Sequence, residues 1–232
     1  PFRMLEQFHQ KRFRVMSKVG FESLDRLAAD ITDKQNRVYD LDVLRQAQTL
    51  NFIKDQVPDI FSQQAVGCVI GDGFASMTSL LIASKSAGHV VLVNLTKTLL
   101  VDLWYLKIWL GDERFNDSVD LVTNAVELAE SLKKPASGVL GSGRVIAIQA
   151  KDHELLSQCP ITFALNIVSM QEMNPPVISG YFDELRACSS LEPVLFYCCN
   201  RVEKYLQDGT ATRFFDYPWS SGDALVIDEL RP

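Results

Sequence analysis

The feature that most constrains this chain is a change of hydrophobic period near residue 66. From that point, short apolar runs rich in β-branched residues alternate with longer amphipathic segments. Such alternation is typical of parallel strands joined by crossover helices, because parallel strands cannot be connected by tight turns. We therefore expect an α/β protein with a mostly parallel sheet and helices on both of its faces.

The predicted elements follow from these runs and from the residues that bound them. Predicted strands lie at 65–70, 89–94, 145–149, 161–168, 193–199 and 224–230. Predicted helices lie at 76–88, 96–111, 118–132 and 175–190. Ser118 is expected to cap the third of these helices, because its hydroxyl can accept a hydrogen bond from a free N–H of the first turn.

The N-terminal segment has a different pattern. Residues 2–57 show apolar side chains at helical spacing until Pro58 ends the run. We therefore divide the chain into a helical arm or lid at 1–57 and a larger α/β domain at 58–232. The first 20 residues carry five basic side chains against Glu6, a net charge of about +4 in a chain of net charge -6. This asymmetry fits either a solvated helix face or a lid over an anionic ligand.

Composition limits the classes of partner and compartment. The 23 basic residues are outnumbered by 29 acidic ones, so a small-molecule ligand is favoured over nucleic acid. Five cysteines without CxxC spacing indicate free thiols in a reducing, cytoplasmic compartment. No apolar run approaches the roughly 18 to 20 residues of a membrane-spanning helix, so no membrane is expected as a partner.

A glycine turn follows the first predicted strand, in the segment VGCVIGDGFAS. Gly71 and Gly73 allow close approach of a ligand to the backbone, and the helix that follows presents free N–H groups. This signal alone is shared by NAD enzymes, FAD enzymes and methyltransferases, and it also occurs as a plain tight turn. In a GxGxxG dinucleotide motif the last position would be glycine, but here it is Ser76.

Further segments carry a resemblance to a known family. They are VLVNLTKTLLVDLWYL, NIVSMQEMNPPVISGYF, LFYCCNRVEK and FFDYPWSSGDALVIDEL. Together with the glycine turn they resemble the class I S-adenosylmethionine-dependent methyltransferases, and within these the sugar O-methyltransferases. The resemblance covers most of residues 60–230. It implies a Rossmann-like sheet of seven strands whose last strand is antiparallel, with S-adenosylmethionine bound across the carboxyl ends of the first two strands.

The resemblance also implies positions for the methyl donor. Gly71, Asp72 and Gly73 would lie under its methionine part. Asn94 and Leu95 would lie at the ribose and Ala150 near the adenine, while Asn166 would face the amino-acid portion or the substrate. The alternative for Asn94 is a cap of the next helix.

Two positions depart from the family pattern and keep other functions open. The family usually has an acid two residues before the first motif glycine, where this chain has Val69. It also usually has an acid at the end of the second strand, where this chain has Asn94. Both changes remove negative charge from the surroundings of a cationic donor. The main alternative is therefore a catalytically degenerate binding or scaffold protein. An NAD-linked oxidoreductase is disfavoured by Ser76.

Methyl transfer to a sugar hydroxyl needs a group that takes the hydroxyl proton. Glu172 is our first candidate for base or hydroxyl acceptor, with Gln171 as positioning group, because both follow a strand at its ligand-binding end. The alternative is that Glu172 only stabilises the first turn of the next helix. His153 is a second candidate base, since its ordinary pKa is near neutrality, although a lone histidine is more often structural.

Four residues are candidates for binding a sugar or glycoside acceptor. Asn200 and Arg201 could bind hydroxyl groups or a phosphate, or they could serve as a helix cap and a surface ion pair. Tyr217 and Trp219 could stack on a saccharide ring, or they could pack in the core. The scattered histidines and carboxylates predict no metal, and a homodimer is left open.

Overall fold

The computed structural model describes residues 20–136, 143–190 and 192–227. Its helices are α1 (Phe21–Lys34), α2 (Leu41–Gln56), α3 (Ser76–Ala83), α4 (Thr96–Leu110), α5 (Asp112–Ser118), α6 (Ala125–Lys133) and α7 (Pro175–Ala187). Its strands are β1 (Ser62–Ile70), β2 (Ala87–Asn94), β3 (Val119–Val122), β4 (Arg144–Gln149), β5 (Phe163–Ile167), β6 (Leu195–Cys199), β7 (Glu203–Tyr205) and β8 (Ala211–Arg213). Short 3₁₀ segments lie at Pro58–Ile60, Ala150–Gln158, Met170–Glu172 and Phe214–Asp216.

The first six strands form one parallel sheet in the order β3-β4-β2-β1-β5-β6. Cys68 of β1 is paired with Val91 of β2 on one side and with Ala164 of β5 on the other. Strands β7 and β8 form a separate antiparallel pair. The chain is therefore an α/β protein with a Rossmann-like parallel sheet, as the alternation of strand and helix patterns predicts.

Both faces of the sheet are covered. In β2, Val90 and Leu92 point into a core shared with α1, α2, α3 and α4, whereas Val91 and Val93 point into a second core. The second core is shared with α6, α7 and the segment Ala150–Gln158. Burial on both faces explains why the central strands are nearly continuous apolar runs rather than alternating ones.

Local signals fix several helix ends. The side chain of Asp40 accepts a hydrogen bond from the N–H of Val43 and begins α2. Helix α2 ends at Gln56, just before Pro58, which cannot continue a helix. Helix α4 ends at Gly111, whose φ of 78° is a backbone conformation that glycine adopts without strain.

Three sequence predictions need correction. The sheet has six strands among the described residues rather than seven, and all six are parallel. The predicted last strand at 224–230 is not a strand over 224–227, and its remainder lies outside the described residues. Ser118 ends α5 instead of capping a helix. The stretch predicted as one helix is strand β3 followed by α6, whose cap is Asn124.

The strand pattern at 119–122 and the helix cap at Asn124 explain why the stretch predicted as one helix is divided. The run Val119–Val122 is short, with a β-branched valine at each end, and it adds an edge strand to β4. Asn124 then accepts hydrogen bonds from the N–H groups of Val126 and Glu127, a stronger capping arrangement than Ser118 could form. The hairpin of β7 and β8, joined across Asp208 and Gly209, was absent from the sequence prediction, although Asp-Gly is a common hairpin turn.

Helices α1 and α2 pack on the sheet through the first core. Leu44 of α2 is 1 % exposed and belongs to the same apolar cluster as Val69 of β1 and Leu80 of α3. Whether residues 1–57 act as an arm or lid stays a prediction, but this packing couples the stability of α1 and α2 to that of the sheet.

Leu44→Ala tests this coupling. The substitution leaves a cavity in a shared core, so we expect it to lower the free energy of unfolding by about 2 to 5 kcal/mol in a single transition. The measurement is urea unfolding followed by circular dichroism. Leu225→Ala, at a site 78 % exposed, is the control and is expected to change stability by less than about 0.5 kcal/mol. Separate unfolding of the helical segment would contradict the coupling.

Candidate functional site

The topology creates a crevice at the carboxyl ends of β1 and β5. The chain leaves β1 towards β2 on one side of the sheet, and it leaves β5 towards β6 on the other. In open α/β sheets, ligands bind where the connections diverge in this way. The glycine turn at 71–73 follows β1, and the segment that contains Ser169 follows β5, so both lie at this crevice.

Gly71 and Gly73 have different roles in the turn. Gly71 has a φ of +77°, and a Cβ placed there would lie 2.3 Å from Oγ of Ser169. Ser169 in turn donates a hydrogen bond of 2.8 Å to the carbonyl oxygen of Ile70. Gly73 has a φ of +92°, and a Cβ placed there would meet nothing within 4 Å. Gly71 therefore lets the two loops pack together, while Gly73 keeps one side of the turn open.

Two residues near the crevice have a strained backbone. Ala75, just before α3, has a φ of 51°, and Val168, just after β5, has a φ of 62°. Positive φ is unfavourable for a β-branched side chain such as valine. Val168 is held by a hydrogen bond of 2.8 Å from its N–H to the carbonyl oxygen of Cys199. Strain of this kind concentrates at ligand sites.

Asp72 lies in the glycine turn, and its side chain bonds the first turn of α3. Its two carboxylate oxygens accept hydrogen bonds from the N–H groups of Met77 and Thr78, at 3.0 and 2.7 Å. The residue is buried. The backbone N–H groups that a helix N-terminus would offer to an anionic ligand are in this way already bonded to a protein carboxylate.

A second carboxylate, Asp102 of α4, lies below the turn and is fully buried. One oxygen accepts a hydrogen bond of 2.9 Å from the N–H of Ala75, and the other accepts one of 2.8 Å from Nδ2 of Asn94. Asp102 therefore joins the glycine turn, the end of β2 and helix α4. The sequence analysis missed it, although an acid on the core-facing stripe of an otherwise apolar helix was the available signal.

Burial and charge repulsion shift both carboxyl groups towards the neutral form. Burial and the neighbouring Asp72 charge raise the pKa of Asp102 to about 7, against the opposing effect of the Asn94 and Ala75 hydrogen bonds and of Arg37. Burial also raises the pKa of Asp72, and its backbone hydrogen bonds oppose that change. Two such groups in close proximity titrate as a pair rather than independently.

Arg37 covers the turn from the segment between α1 and α2. Its guanidinium lies 4.2 Å from the ring centroid of Phe74 and 5.1 Å from that of Tyr105. It donates hydrogen bonds to Oγ of Ser76 and to Oε1 of Gln35. The segment between α1 and α2 thus contributes a cation and an aromatic contact beside the glycine turn.

The side chain of Asn94 is directed at Asp102. Its Oδ1 accepts a hydrogen bond of 2.9 Å from the N–H of Leu95, so both ends of the amide are bonded within the protein. Leu95 itself is 68 % exposed at the carboxyl end of β2. A role for Asn94 at a ribose stays a prediction, and it would use the remaining hydrogen-bonding capacity of the amide.

Asn166 forms the centre of an amide network across the ends of β1, β5 and β6. Its Nδ2 donates to the carbonyl oxygen of Ile70 at 2.9 Å and also to Ser169. Its Oδ1 accepts from the N–H of Met170 and from Nδ2 of Asn200, at 3.2 and 2.8 Å. Asn166 is fully buried. These contacts identify Asn166 as a residue that holds the crevice walls together.

Gln171 and Asn200 extend the same network. Oδ1 of Asn200 accepts a hydrogen bond of 3.1 Å from the N–H of Gln171. Oε1 of Gln171 accepts one of 2.9 Å from the N–H of Arg201, which fixes the chain after β6. Gln171 is buried, whereas Arg201 is exposed. Gln171 therefore fixes the backbone after β6, and its positioning role at a substrate stays a prediction.

Glu172 is half exposed at the same edge and is bonded to Lys204 of β7. The Lys204 ammonium, together with the Gln171 amide, holds the pKa of Glu172 below its usual value. A lowered pKa weakens a carboxylate as a proton acceptor. This shift disfavours the role of base that the sequence predicts for Glu172, and its role as a hydroxyl acceptor stays a prediction.

His153 packs against α7. Its ring lies 5.0 Å from the ring of Tyr181, and a Cβ at Gly180 would lie 2.9 Å from its Cε1 atom. Its Nδ1 is buried and has no hydrogen-bond partner among the described residues. These contacts favour packing of the segment Ala150–Gln158 on α7, and Ala150 opens that segment directly after β4.

Tyr217 and Trp219 belong to an aromatic cluster beside α7. The ring of Phe182 lies 4.9 Å from that of Trp219 and 6.3 Å from that of Tyr217. Nε1 of Trp219 donates a hydrogen bond of 2.9 Å to the carbonyl oxygen of Phe214. Tyr217 is buried and Trp219 is exposed. Of the two predicted stacking residues, Trp219 is the one with a ring surface open to a ligand.

The structure therefore brings together the glycine turn, Asn94, Asn166, Gln171, Glu172, Asn200 and Arg201 along one edge of the sheet. His153, Tyr217 and Trp219 make their contacts with α7 instead. The residues that sequence reasoning missed are Arg37, Asp102, Ser169 and Lys204. Their positions depend on contacts between distant segments, for which a single sequence carries little signal.

Comparisons with protein-family models and with characterised proteins find no match for this chain. Across residues 20–136, 143–190 and 192–227, no three His, Cys, Asp or Glu side chains are grouped to hold a metal ion. In the same ranges, no helix combines the length and the apolar character needed to cross a membrane.

Asp102→Asn tests the buried carboxylate through the pH dependence of stability. Because the folded-state pKa of Asp102 is raised to about 7, the folded protein keeps a proton that the unfolded chain loses near pH 4. The contribution of the Asp102 carboxyl group to stability is thus complete below pH 4 and declines as the pH rises to about 7. We expect the free energy of unfolding, measured with urea, to fall between pH 5 and pH 8. In Asp102→Asn this fall should be about 2 kcal/mol smaller than in the wild type.

The comparison between the two proteins cancels the contribution of the groups that they share and that do not interact with Asp102. Glu203→Gln, an exposed acid paired with Arg213, is the matched control and should keep the pH dependence of the wild type. An unchanged pH dependence in Asp102→Asn would show that Asp102 is not a protonated buried acid.

Proposed function

We propose that this protein is an S-adenosylmethionine-dependent O-methyltransferase that acts on a hydroxyl group of a sugar or glycoside. The observation that carries the proposal is the pair of buried carboxyl groups at the glycine turn, Asp72 within it and Asp102 below it. Because the pKa of Asp102 is about 7, a cationic ligand beside it would favour its ionised form. S-adenosylmethionine carries a positively charged sulfur, whereas the pyrophosphate of NAD is anionic.

The hydrogen bonds of the turn support the same choice. Dinucleotide sites bind pyrophosphate through free N–H groups at the start of the helix. In this chain the N–H groups of Ala75, Met77 and Thr78 are bonded to the two carboxylates. A pyrophosphate at this position would have to compete with them for the same N–H groups.

The residues around the glycine turn suit the separate parts of S-adenosylmethionine. The open side of Gly73 can admit the methionine part, and the exposed side chains of Phe74 and Leu95 offer apolar surface for the nucleoside. Asp102 places an ionisable carboxyl group close to the position where Asn94 replaces the usual acid. When bound, S-adenosylmethionine supplies an electrophilic methyl group on a cationic sulfur.

The residues of the crevice would then act on the acceptor. The acceptor hydroxyl oxygen forms a bond to the methyl carbon as the carbon–sulfur bond breaks, and the sulfur keeps the electron pair. The hydroxyl proton passes to solvent. Glu172 accepts a hydrogen bond from that hydroxyl and orients it, while Gln171 and Asn200 hold the Glu172 segment in place.

Calorimetric titration with S-adenosylmethionine, S-adenosylhomocysteine and NAD tests the ligand class. The expected result is micromolar binding of the first two ligands and binding of NAD at least about 100-fold weaker, because NAD lacks free N–H partners at α3. Tighter binding of NAD would contradict the proposal. Absence of binding by all three to the folded protein would also contradict it.

An exchange of Asn94 and Asp102 tests the role of the carboxylate. Asn94→Asp alone places two carboxyl groups in contact, and we expect a roughly tenfold loss of donor affinity. The double variant Asn94→Asp with Asp102→Asn keeps the hydrogen bond between the two side chains with donor and acceptor exchanged, and it should bind the donor at least as tightly as the wild type. Equal affinities in all three proteins would remove this pair from the donor site.

Glu172→Gln tests the role of the crevice acid in catalysis. We expect methyl transfer to a panel of hexoses and glycosides to fall about 100-fold or more, because the neutral amide cannot orient and accept the hydroxyl in the same way. The affinity for S-adenosylhomocysteine should change less than about twofold. Glu203→Gln is the matched control on the neighbouring strand. Equal losses of rate and donor affinity would argue against a role at the acceptor.

A specific observation favours a second candidate function, a binding or scaffold protein that retains the fold without catalysis. Both ends of the Asn94 amide are bonded within the protein, and Asn166 has no oxygen or nitrogen of its side chain left without a partner. Donor binding combined with no transfer to any acceptor in the panel would favour this second candidate.

A further inference from the structure

Arg37 is a half-buried cation beside the glycine turn. None of the ion pairs among residues 20–136, 143–190 and 192–227 includes it. A charge that is partly removed from water is normally paired, because desolvation of an unpaired charge is unfavourable. Arg37 is therefore a candidate for binding an anionic group of a ligand.

The hydrogen bonds of the Arg37 guanidinium leave one of its edges free. Both bonds that it donates, to Oε1 of Gln35 and to Oγ of Ser76, come from Nη1. Within the described part of the chain, Nε and Nη2 donate to no acceptor. The N–H bonds of Nε and Nη2 point in the same direction, and such a pair of donors matches the two oxygens of a carboxylate.

The contacts of Arg37 fix the group without using this edge. Its guanidinium lies over the ring of Phe74 and near that of Tyr105, and a ring attracts a cation without occupying a hydrogen-bond donor. Gln35, which accepts one Nη1 bond, is buried, and its Nε2 donates to the carbonyl oxygen of Tyr105 at 3.4 Å. The guanidinium is thus preorganised, which lowers the entropic cost of binding an anion.

Ser76 adds a third donor at the same place. Its Oγ accepts the hydrogen bond from Arg37, and its own hydroxyl proton has no acceptor among the described residues. Ser76 is 7 % exposed and is the first residue of α3. Phe74, on which Arg37 lies, directly follows Gly73, where a Cβ would meet nothing within 4 Å. A ligand that enters beside Gly73 therefore meets the donors of Arg37 and Ser76.

The neighbouring acids favour an anion of low charge. Arg37 lowers the pKa of Asp102, so its charge acts on that carboxyl group, and Asp72 lies beside the same turn. Ionised acids repel a phosphate group, with its two negative charges, more strongly than a carboxylate with one. S-adenosylmethionine carries a single carboxylate, on the amino-acid portion that the open side of Gly73 can admit.

We propose that Arg37 binds the carboxylate of the donor's amino-acid portion and so selects adenosyl donors that carry one. This inference rests on the proposed methyl-donor function. Nε and Nη2 of Arg37 each donate to one carboxylate oxygen, and the Ser76 hydroxyl donates to the same group. The segment between α1 and α2 then forms part of the donor site, which gives the N-terminal helical region a role in ligand selection.

Calorimetric titration with S-adenosylmethionine and decarboxylated S-adenosylmethionine tests this selectivity. The two ligands share the adenosine, the cationic sulfur and the amine, and they differ in the carboxylate. We expect the wild-type protein to bind S-adenosylmethionine roughly 10- to 100-fold more tightly, the effect of charge-assisted hydrogen bonds to one carboxylate. Equal affinities would overturn the proposal for Arg37 and leave the donor site standing. Absence of binding by both ligands would contradict the methyl-donor function and the inference with it.

Arg37→Gln assigns the selectivity to the guanidinium. The affinity for S-adenosylmethionine should fall roughly 10- to 100-fold, whereas that for the decarboxylated ligand should not fall. Arg37→Lys keeps the charge without the paired donors and should retain part of the selectivity. Arg26→Gln, at an exposed arginine of α1, is the matched control and should bind both ligands as the wild type does.

Equal losses of affinity for the two ligands in Arg37→Gln would mean that Arg37 only supports the glycine turn, and this result would overturn the proposal. Circular dichroism establishes that each variant folds. The wild-type comparison of the two ligands requires no variant, so it decides the question even if a substitution at Arg37 prevents folding.

Discussion

The hydrogen bonds of Asp102 hold the ligand edge of this protein together. A buried carboxylate is costly unless its oxygens are bonded, and Asp102 bonds the backbone before α3 and the side chain at the end of β2. Asp72 bonds the first turn of α3 from the other side. The glycine turn is therefore shaped by two acids that lie close together.

The second constraint is the amide network on Asn166. Parallel strands that diverge at their carboxyl ends leave backbone groups without sheet partners. Asn166, Asn200 and Gln171 bond these groups and fix the loop that presents Glu172. Neutral amides can both donate and accept, so they can connect three strand ends without adding charge next to Asp72 and Asp102. The crevice therefore combines a fixed, uncharged wall with a pair of buried carboxyl groups.

The fold was largely predictable from the sequence, because hydrophobic period is a strong signal for long buried strands and their connecting helices. Strands β1, β2, β4, β5 and β6 lie where apolar runs predict them. The short edge strand β3 was predicted as helix, since so short a run gives too little pattern to separate strand from helix. The edge of the sheet at which α/β proteins bind ligands was also predictable, because topology alone determines it.

The chemistry of the site was less predictable. The change of the usual acid to Asn94 predicts a site without a carboxyl group at this position, yet Asp102 places one there from the following helix. Arg37 and Lys204 approach from distant segments, and Lys204 changes the expected role of Glu172 by lowering its pKa. Such compensation is set by tertiary contacts, which a single sequence does not display.

The central claim is that the Asp102 carboxyl group interacts with a cationic methyl donor. Titration at pH 7 in buffers of different ionisation enthalpy measures the protons released on binding. Because the pKa of Asp102 is about 7, a nearby positive charge should release up to about half a proton. In the wild-type protein the account predicts this proton release for S-adenosylmethionine and a smaller release for S-adenosylhomocysteine, whose sulfur is uncharged. In Asp102→Asn, S-adenosylmethionine should release no more protons than S-adenosylhomocysteine does. Equal proton release by the two ligands in the wild-type protein would contradict it.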